Sequence, residues 1–459
     1  MAGHILHQSI LREYDIRGIV GETLSADDAY AIGRSFGSIV SQNSGRTVAV
    51  GYDGRHSSPG FEKMVVDGLS DCGLEVIRIG LGGTPMLYFA VHDLAADAGI
   101  MVSGSHNPPN FNGFKMVLSD RPFFGQDILR LGAVAAKKEW VSGSGYSHNY
   151  EIIQNYVARI LRDYTSPRGL KVAWDSGNGA AGPAMEKLIE SLPGTHHPLN
   201  SEVNGDFPNH HPDPTVPECL KQLQMEVAER RCDLGIAFDG DGDRIGVVDD
   251  QGEILWGDQL MVLFAADVLD SKPNSTIIAD VKASQVLFDE ILKMGGKPEM
   301  WRTGHSLIKS RMIETGAPLA GEMSGHIFFA DKWFGFDDGL YAAVRLLSFL
   351  GKQNKPLSEF RAELPRVYNT PEIRIACEDL RKFDVVSRVL SSLRDSNAKI
   401  IDVDGIRVQT DDGWWLLRAS NTEPVLVARC ESYTASGLQR LRDTLKDQLS
   451  KNGVKISEL

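Results

Sequence analysis

Asp239, Asp241 and Asp243 are separated by single glycines, follow the apolar run 234–238 and precede Arg244. Three anions so close repel one another strongly without a counter-ion, so the pattern suits one hard cation with oxygen ligands. Mg²⁺ is the expected metal, because a site of few carboxylates that shares its cation with phosphate suits it. An EF-hand loop fails: its sixth position would be Arg244 and its twelfth Asp250, where glycine and glutamate are needed. A polar turn with capping aspartates is the plain alternative. A second cluster reads Ser103-Gly104-Ser105-His106-Asn107-Pro108-Pro109, then Asn112-Gly113-Phe114-Lys115. Ser105, between a glycine and His106, has the setting of an exposed nucleophile, and Lys115 that of a phosphate-neutralising or proton-accepting group. A serine or Asx turn without chemistry is the alternative. The Gly-x-Ser-x-Gly elbow of acyl-transfer hydrolases is absent.

Two further clusters suit sugar and phosphate. Gly321-Glu322-Met323-Ser324-Gly325-His326, with Gly304-His305-Ser306 upstream, offers the acceptors and donors that sugar hydroxyls need. Arg418-Ala419-Ser420-Asn421-Thr422-Glu423-Pro424 packs an arginine fork, two hydroxyls and an amide into five residues, a set suited to a phosphate dianion; a proline-closed turn is the alternative. Gly177-Asn178-Gly179-Ala180-Ala181-Gly182 matches a dinucleotide-binding fingerprint, with Glu202 where a ribose-binding acid would stand. Residues 195–200, rich in His and Pro, make a poor second strand for that fold, so the glycines read as close helix–strand packing. No Walker A sequence occurs, so P-loop chemistry has no support.

The elements that must carry these loops form a repeating pattern. An apolar strand ends at a carboxylate, a polar loop follows, and a helix begins: residues 48–53, 170–175 and 276–280 are three copies. In the first copy Ser58 is the expected N-cap, Pro59 the first helical residue and Gly73 the stop. Such alternation predicts α/β domains with largely parallel sheets. From residue 366 the pattern changes to strands at 372–376, 400–403 and 425–430 with helices near 383–393 and 436–449, a smaller α+β domain. Four domains are therefore expected: 1–150, 151–253, 254–365 and 366–459.

Composition narrows the partners. The 459 residues carry a formal net charge of −13, split −14 over the first 365 and +1 over the last 94. That excludes a general nucleic-acid binder but leaves room for a locally basic cleft that reads phosphorylated metabolites. No apolar stretch is long enough to span a membrane, and the first residues lack the pattern of a signal peptide. Five scattered cysteines without a Cys-x-x-Cys pair favour reduced thiols and a cytoplasmic location.

The four clusters, in this order, together with Arg12-Glu13-Tyr14-Asp15-Ile16-Arg17-Gly18, resemble the α-D-phosphohexomutase family over nearly the whole chain. Gly304-His305-Ser306-Leu307-Ile308-Lys309 and Asn209-His210-His211-Pro212-Asp213-Pro214 point to its bacterial phosphomannomutase/phosphoglucomutase branch. The resemblance implies three α/β domains of common topology and a fourth with a TATA-binding-protein-like fold, around a central cleft. It implies a reversible 1-to-6 phosphoryl shift on mannose or glucose phosphates through a phosphoserine and a hexose 1,6-bisphosphate, which also serves as activator. Ser105 would carry the phosphate and complete the Mg²⁺ site with Asp239, Asp241 and Asp243. Arg17, Lys115, Arg244 and His326 would surround the transferring group, with His106 beside it. Glu322 and Ser324 would hold sugar hydroxyls. Arg418, Ser420, Asn421 and Thr422 would bind the spectator phosphate, and Tyr14, Lys282 and His305 would add substrate contacts. A monomer or weak homodimer is implied. Ser103 stands where many members have threonine. Glu423 departs from some members too, and an acid there must point away from the phosphate or be paired. A phosphoglucosamine mutase, a metal-dependent sugar-phosphate phosphatase and a non-enzymatic sugar-phosphate binder are the competing readings.

Overall fold

The computed structural model describes residues 3–394 and 398–454. Its strands form four sheets. In the first, Thr47–Tyr52 lies parallel between Glu75–Leu81 and Ala98–Val102, and Phe111–Leu118 and Ile16–Ile19 extend one side antiparallel. In the second, Leu170–Asp175 lies parallel between Gly194–Leu199 and Leu234–Phe238, and Ile245–Asp249 returns antiparallel. In the third, Thr276–Asp280 lies parallel between Lys297–Trp301 and Leu319–Gly321, and Ile327–Phe329 returns antiparallel. The fourth, built from residues 368–432, is antiparallel at every pairing.

The sheets of the first three units are thus mixed, where the alternation of strands and helices predicts largely parallel ones. The difference has a local cause. The strand before each functional loop is followed by a hairpin return instead of a helix, and an antiparallel partner needs only a short connection. The same geometry recurs in the fourth unit, where Gly413–Ala419 and Val425–Ser432 flank residues 420–424.

Three other expectations are corrected. Residues 194–199 form a strand despite their His/Pro content. It is the edge strand of its sheet and largely solvent-facing, so its pairing with Leu170–Asp175 does not require apolar side chains. The helix Ser58–Ser70 starts one residue earlier than expected: Ser57 stands at the N-cap without a side-chain capping bond, and the Ser58 hydroxyl donates to Asp53 Oδ1 at 2.5 Å. In the fourth unit the hairpin Ile406–Thr410/Gly413–Ala419 goes beyond the expected strands and carries buried Trp414 and Trp415.

One apolar core runs through the second and third units and takes in the helix Thr84–Asp93 of the first, with Phe89 meeting Tyr156 and Trp333 and Tyr88 meeting Phe336. The fourth unit has its own core around Val389, Trp415, Leu441 and Leu445. It joins the third through a small cluster of Val281, Trp414 and Leu416, and through buried Arg407, which donates to the Val281 and Ala283 carbonyls. Among the described residues no helix is long and apolar enough to cross a membrane. All five cysteines are free thiols.

Candidate active site

Ser105 sits at the tip of the hairpin Ala98–Val102/Phe111–Leu118 with φ +49°, a left-handed conformation that an L-residue adopts only when its surroundings impose it. The clamp is Arg55. Almost wholly buried, it donates to the carbonyls of Ser105 (2.7 Å), Asn107 (2.6 Å), Pro108 (2.5 Å) and Phe111 (3.0 Å). Asp53 neutralises it and also accepts from Gly104 N at 2.9 Å. The Ser103 hydroxyl accepts from Ser105 N at 2.9 Å, a role that threonine's hydroxyl would serve equally. Ser105 Oγ donates to Asp239 Oδ2 at 3.1 Å and lies 3.2 Å from His106 Nδ1. Burial, then the charges of Arg244 and Arg17, hold His106 well below its ordinary pKa, so it is neutral. Arg17 donates to Asn107 and Asp15 from the neighbouring strand Ile16–Ile19.

Asp239, Asp241 and Asp243 are fully buried and offer oxygens within 4.8 Å of one another. Lys115 crosses from the first unit to Asp241 Oδ2 (2.7 Å) and Asp243 Oδ2 (2.5 Å), and Thr84 and Ser103 also donate to Asp241 Oδ2. The other oxygens, Asp241 Oδ1 and Asp243 Oδ1, are buried without a hydrogen-bond partner. Burial, with Asp243 and Asp241 as neighbours, pushes the Asp239 carboxyl well above the usual range. Orphaned carboxylate oxygens in a three-acid cluster are what a small divalent cation satisfies, so the donor set fits one. Burial opposes the charge of Lys115, yet Asp241 and Asp243 hold its pKa well above the ordinary lysine value.

Arg244 and His326 are joined by an isolated backbone bridge, and Arg244 Nε donates to His326 Nε2 at 3.0 Å. His305 stacks on His326, with ring centroids 5.8 Å apart, and meets the Tyr14 ring edge-on at 6.0 Å. Glu322 Oε1 accepts from Gly304 N at 3.0 Å, and Oε2 accepts from Ser324 Oγ at 3.0 Å. Gly304 has φ +133°, and a Cβ there would fall 2.5 Å from the Tyr14 ring. Lys282 pairs with Glu372 at 3.1 Å, and that charge pulls Glu372 down to about 2.

The fourth unit closes over the same cleft. Tyr14 bridges three units: its hydroxyl donates to Thr303 O at 2.8 Å and accepts from Asn421 Nδ2 at 2.6 Å. Arg418 is buried and held by Asp404 at 2.9 Å, and Asp404 also accepts from Thr303 N. Ser420 Oγ accepts from the Thr422 and Glu423 amides. Glu423 pairs with Arg374, as an acid beside an anion site requires. Contacts thus run from Ser105 and the carboxylate loop through Arg244, His326, His305 and Tyr14 to Asn421. The residues that the sequence reading passed over are the supports: Asp53, Arg55, Thr84, Asp280, Asp337, Asp404 and Glu372, while Lys309 stood in a quoted motif without a role. Asp53 and Asp280 had a signal, since both end the repeated strand-to-carboxylate pattern. Arg55, Asp337 and Asp404 had none, because their partners lie far away in sequence.

A curated phosphomannomutase/phosphoglucomutase of Pseudomonas aeruginosa is 45% identical over 444 residues, covering 97% of this chain and 96% of its own. Models of the four phosphoglucomutase/phosphomannomutase domains match residues 8–137 (α/β/α domain I), 154–252 (II), 256–368 (III) and 372–448 (C-terminal). The chain belongs to the phosphoglucomutase/phosphomannomutase family. A phosphoglucomutase of Neisseria gonorrhoeae is 41% identical over 449 residues, covering 97% of each chain. Among solved structures, a phosphoglucomutase/phosphomannomutase family protein of Burkholderia thailandensis superposes with TM-score 0.93 at 40% identity, covering 98% of this chain and 99% of that one. The four-unit layout of this phosphohexomutase is therefore that of its family.

Proposed function

We propose that the protein moves a phosphoryl group reversibly between the 1 and 6 positions of hexose phosphates, with mannose and glucose phosphates as substrates. One observation carries this reading. Ser105 rests against a cation-ready carboxylate loop, while a second anion loop at Arg418, from another unit, faces the same cleft. A phosphatase needs one phosphate site; a mutase must hold a reacting phosphate and a spectator at once.

Phosphoryl transfer depends on positioning and charge neutralisation. Mg²⁺, held by Asp239, Asp241, Asp243 and the phosphate of Ser105, would supply the countercharge for the transferring group. Arg17, Lys115 and Arg244, drawn from separate elements, offset its remaining charge, with neutral His106 and with His326 beside them. Glu322 and Ser324 grip hydroxyls that occupy similar places in either orientation of the sugar. Arg418, Ser420, Asn421 and Thr422 hold the non-reacting phosphate, and Tyr14, Lys282 and His305 line the path between. A hexose 1,6-bisphosphate forms when phosphoserine 105 donates to the free hydroxyl; it turns over in the cleft and returns its other phosphate to Ser105. The same bisphosphate, added in trace, activates unphosphorylated enzyme.

Glucose 1-phosphate supplied with Mg²⁺ and trace glucose 1,6-bisphosphate should yield glucose 6-phosphate without inorganic phosphate. Stoichiometric phosphate release would make the protein a phosphatase. Parallel runs with mannose 1-phosphate and glucosamine 1-phosphate rank the sugars, and a marked preference for glucosamine would replace the assignment with a phosphoglucosamine mutase.

A further inference from the structure

Behind His326 lies a buried ion pair whose carboxylate no sequence signal named. Asp337 Oδ2 is 2.9 Å from His326 Nδ1, and its Oδ1 accepts from Lys309 Nζ at 2.9 Å. The Lys309 ammonium sits 4.3 Å from the ring centroid of Tyr88, in the first unit. Asp337 is fully buried and precedes Asp338, the N-cap of the helix Gly339–Gly351. Gly339 N donates to Gly242 O of the carboxylate loop at 3.1 Å, and Ile245 N donates to Gly325 O beside His326. The helix that follows Asp337 is thus tied to the metal loop, and the strand leaving the metal loop is tied to the sugar loop.

The other face of the imidazole fixes its protonation. Arg244 Nε donates to His326 Nε2, and a guanidinium has no acceptor, so Nε2 must carry the lone pair. In a neutral imidazole the hydrogen is then on Nδ1; the 2.9 Å contact with Asp337 Oδ2 is a charge contact without hydrogen-bond geometry, and the buried carboxylate favours a hydrogen on the nitrogen beside it. His305 Nδ1 lies 4.0 Å from the same Asp337 oxygen, and its ring, inclined 25° to His326, limits rotation of the imidazole plane. We propose that Asp337, neutralised by Lys309, is a positioning residue that sets the His326 tautomer and so aims the Arg244 fork at the transferring phosphoryl group. Lys309 has a distinct part in this. His326 Nδ1 is also 3.5 Å from Asp243 Oδ1, so an unpaired Asp337 would add a fourth anion to a cleft that must admit phosphate. As an ion pair, Asp337 orients the histidine without adding net charge.

The role assigned to Arg244 rests on the mutase reading, so the test has one arm that needs no turnover. In Asp337→Asn, Lys309 claims the amide oxygen and the NH₂ group faces His326 Nδ1. That favours the opposite tautomer, whose Nε2–H opposes Arg244. With ¹⁵N-histidine NMR on the Mg²⁺-loaded protein, His326 should be the Nδ1–H tautomer in wild type and Nε2–H in Asp337→Asn. Turnover of glucose 1-phosphate should fall about 100-fold in kcat, the order expected when one oriented charge-stabilising donor is misaimed, with KM changed less than about threefold. Asp337→Asn/Lys309→Met removes both charges together, so it should recover thermal stability relative to Lys309→Met alone while kcat stays low. An Nε2–H tautomer in wild type, an unchanged kcat in Asp337→Asn, or a kcat that recovers with stability in the double variant would overturn the proposal. Wild type that converts no sugar phosphate would defeat the mutase reading, and the NMR arm would still decide the tautomer.

Discussion

Ser105 and Arg418 illustrate two kinds of demand on a single residue. Ser105 must present an oxygen against the carboxylate loop, 3.1 Å from Asp239, and it holds a left-handed backbone to do so. Ser105→Ala should reduce mutase turnover to background, measured by coupled assay; substantial residual activity would remove the serine from the reaction. Arg418 is assigned a binding demand. Arg418→Ala should weaken substrate binding by about 2–4 kcal/mol, as expected for a charged hydrogen bond in a buried site. A fall in kcat with KM unchanged would show that it does not hold the spectator phosphate. His210 has a purely supporting part, 2.9 Å from Asp175 Oδ2. Burial opposes its charge, but Asp175 raises its pKa to about 10. A histidine raised on folding stabilises fully below its unfolded value of about 6.5, and the contribution is lost as pH rises through about 10. The unfolding free-energy difference between wild type and His210→Gln should therefore shrink steadily from pH 6.5 to 10. A pH-independent difference would contradict the charge assigned to the pair.

All four functional loops are the tips of antiparallel hairpins: residues 103–110, 239–244, 322–326 and 420–424. A hairpin tip is held on both sides by backbone bonds, which suits a loop that must keep polar groups in place against charge. The strand-to-carboxylate pattern, legible in the sequence three times, lies on the adjacent strand. Asp53 and Asp280 reach across to brace the neighbouring tip through Gly104 N and Met323 N. Contact between two tips sets the catalytic distance. A Cβ on Gly240 would fall 2.4 Å from Ser105 O. Gly240→Ala should therefore separate the serine from the carboxylates and lower kcat by about 100-fold, as for a displacement near 1 Å. Near-normal kcat in a crystal structure with both loops unmoved would refute that coupling.

For the whole molecule, the first three units share apolar packing while the fourth has a core of its own and a small apolar contact with the third. Its closure rests on polar bonds such as Tyr14–Asn421 and Thr303–Asp404, which water can replace at modest cost. The mechanism proposed above, in which a bisphosphate turns over between two phosphate sites, would be served by that division. The carboxylate loop is the opposite case. It is buried between the first two units, with two orphaned oxygens and Lys115 from across the boundary. A divalent cation bound only by the folded state should stabilise it by mass action. Thermal denaturation with excess Mg²⁺ should therefore give a higher Tm than after chelation, with activity lost in the chelated sample. Equal Tm values would mean that the carboxylates hold no cation.

The residue types that do chemistry were readable from the chain because each cluster is local: an acid–glycine alternation, a serine before a histidine, an arginine with hydroxyls three or four positions on. Strand-to-carboxylate repeats and the change after residue 365 likewise indicated three similar units and a different fourth, since periodicity is a property of neighbours in sequence. The tertiary structure decided what depends on distant neighbours. It turned the expected parallel sheets into mixed ones, made a strand of residues 194–199, and brought Arg55, Asp337 and Asp404 to loops 50 residues away or in another strand. Buried charge is tolerated only beside its partner. The sequence could name the groups proposed to meet phosphate, but only the packed fold determined which carboxylate, lysine or arginine holds each of them in place.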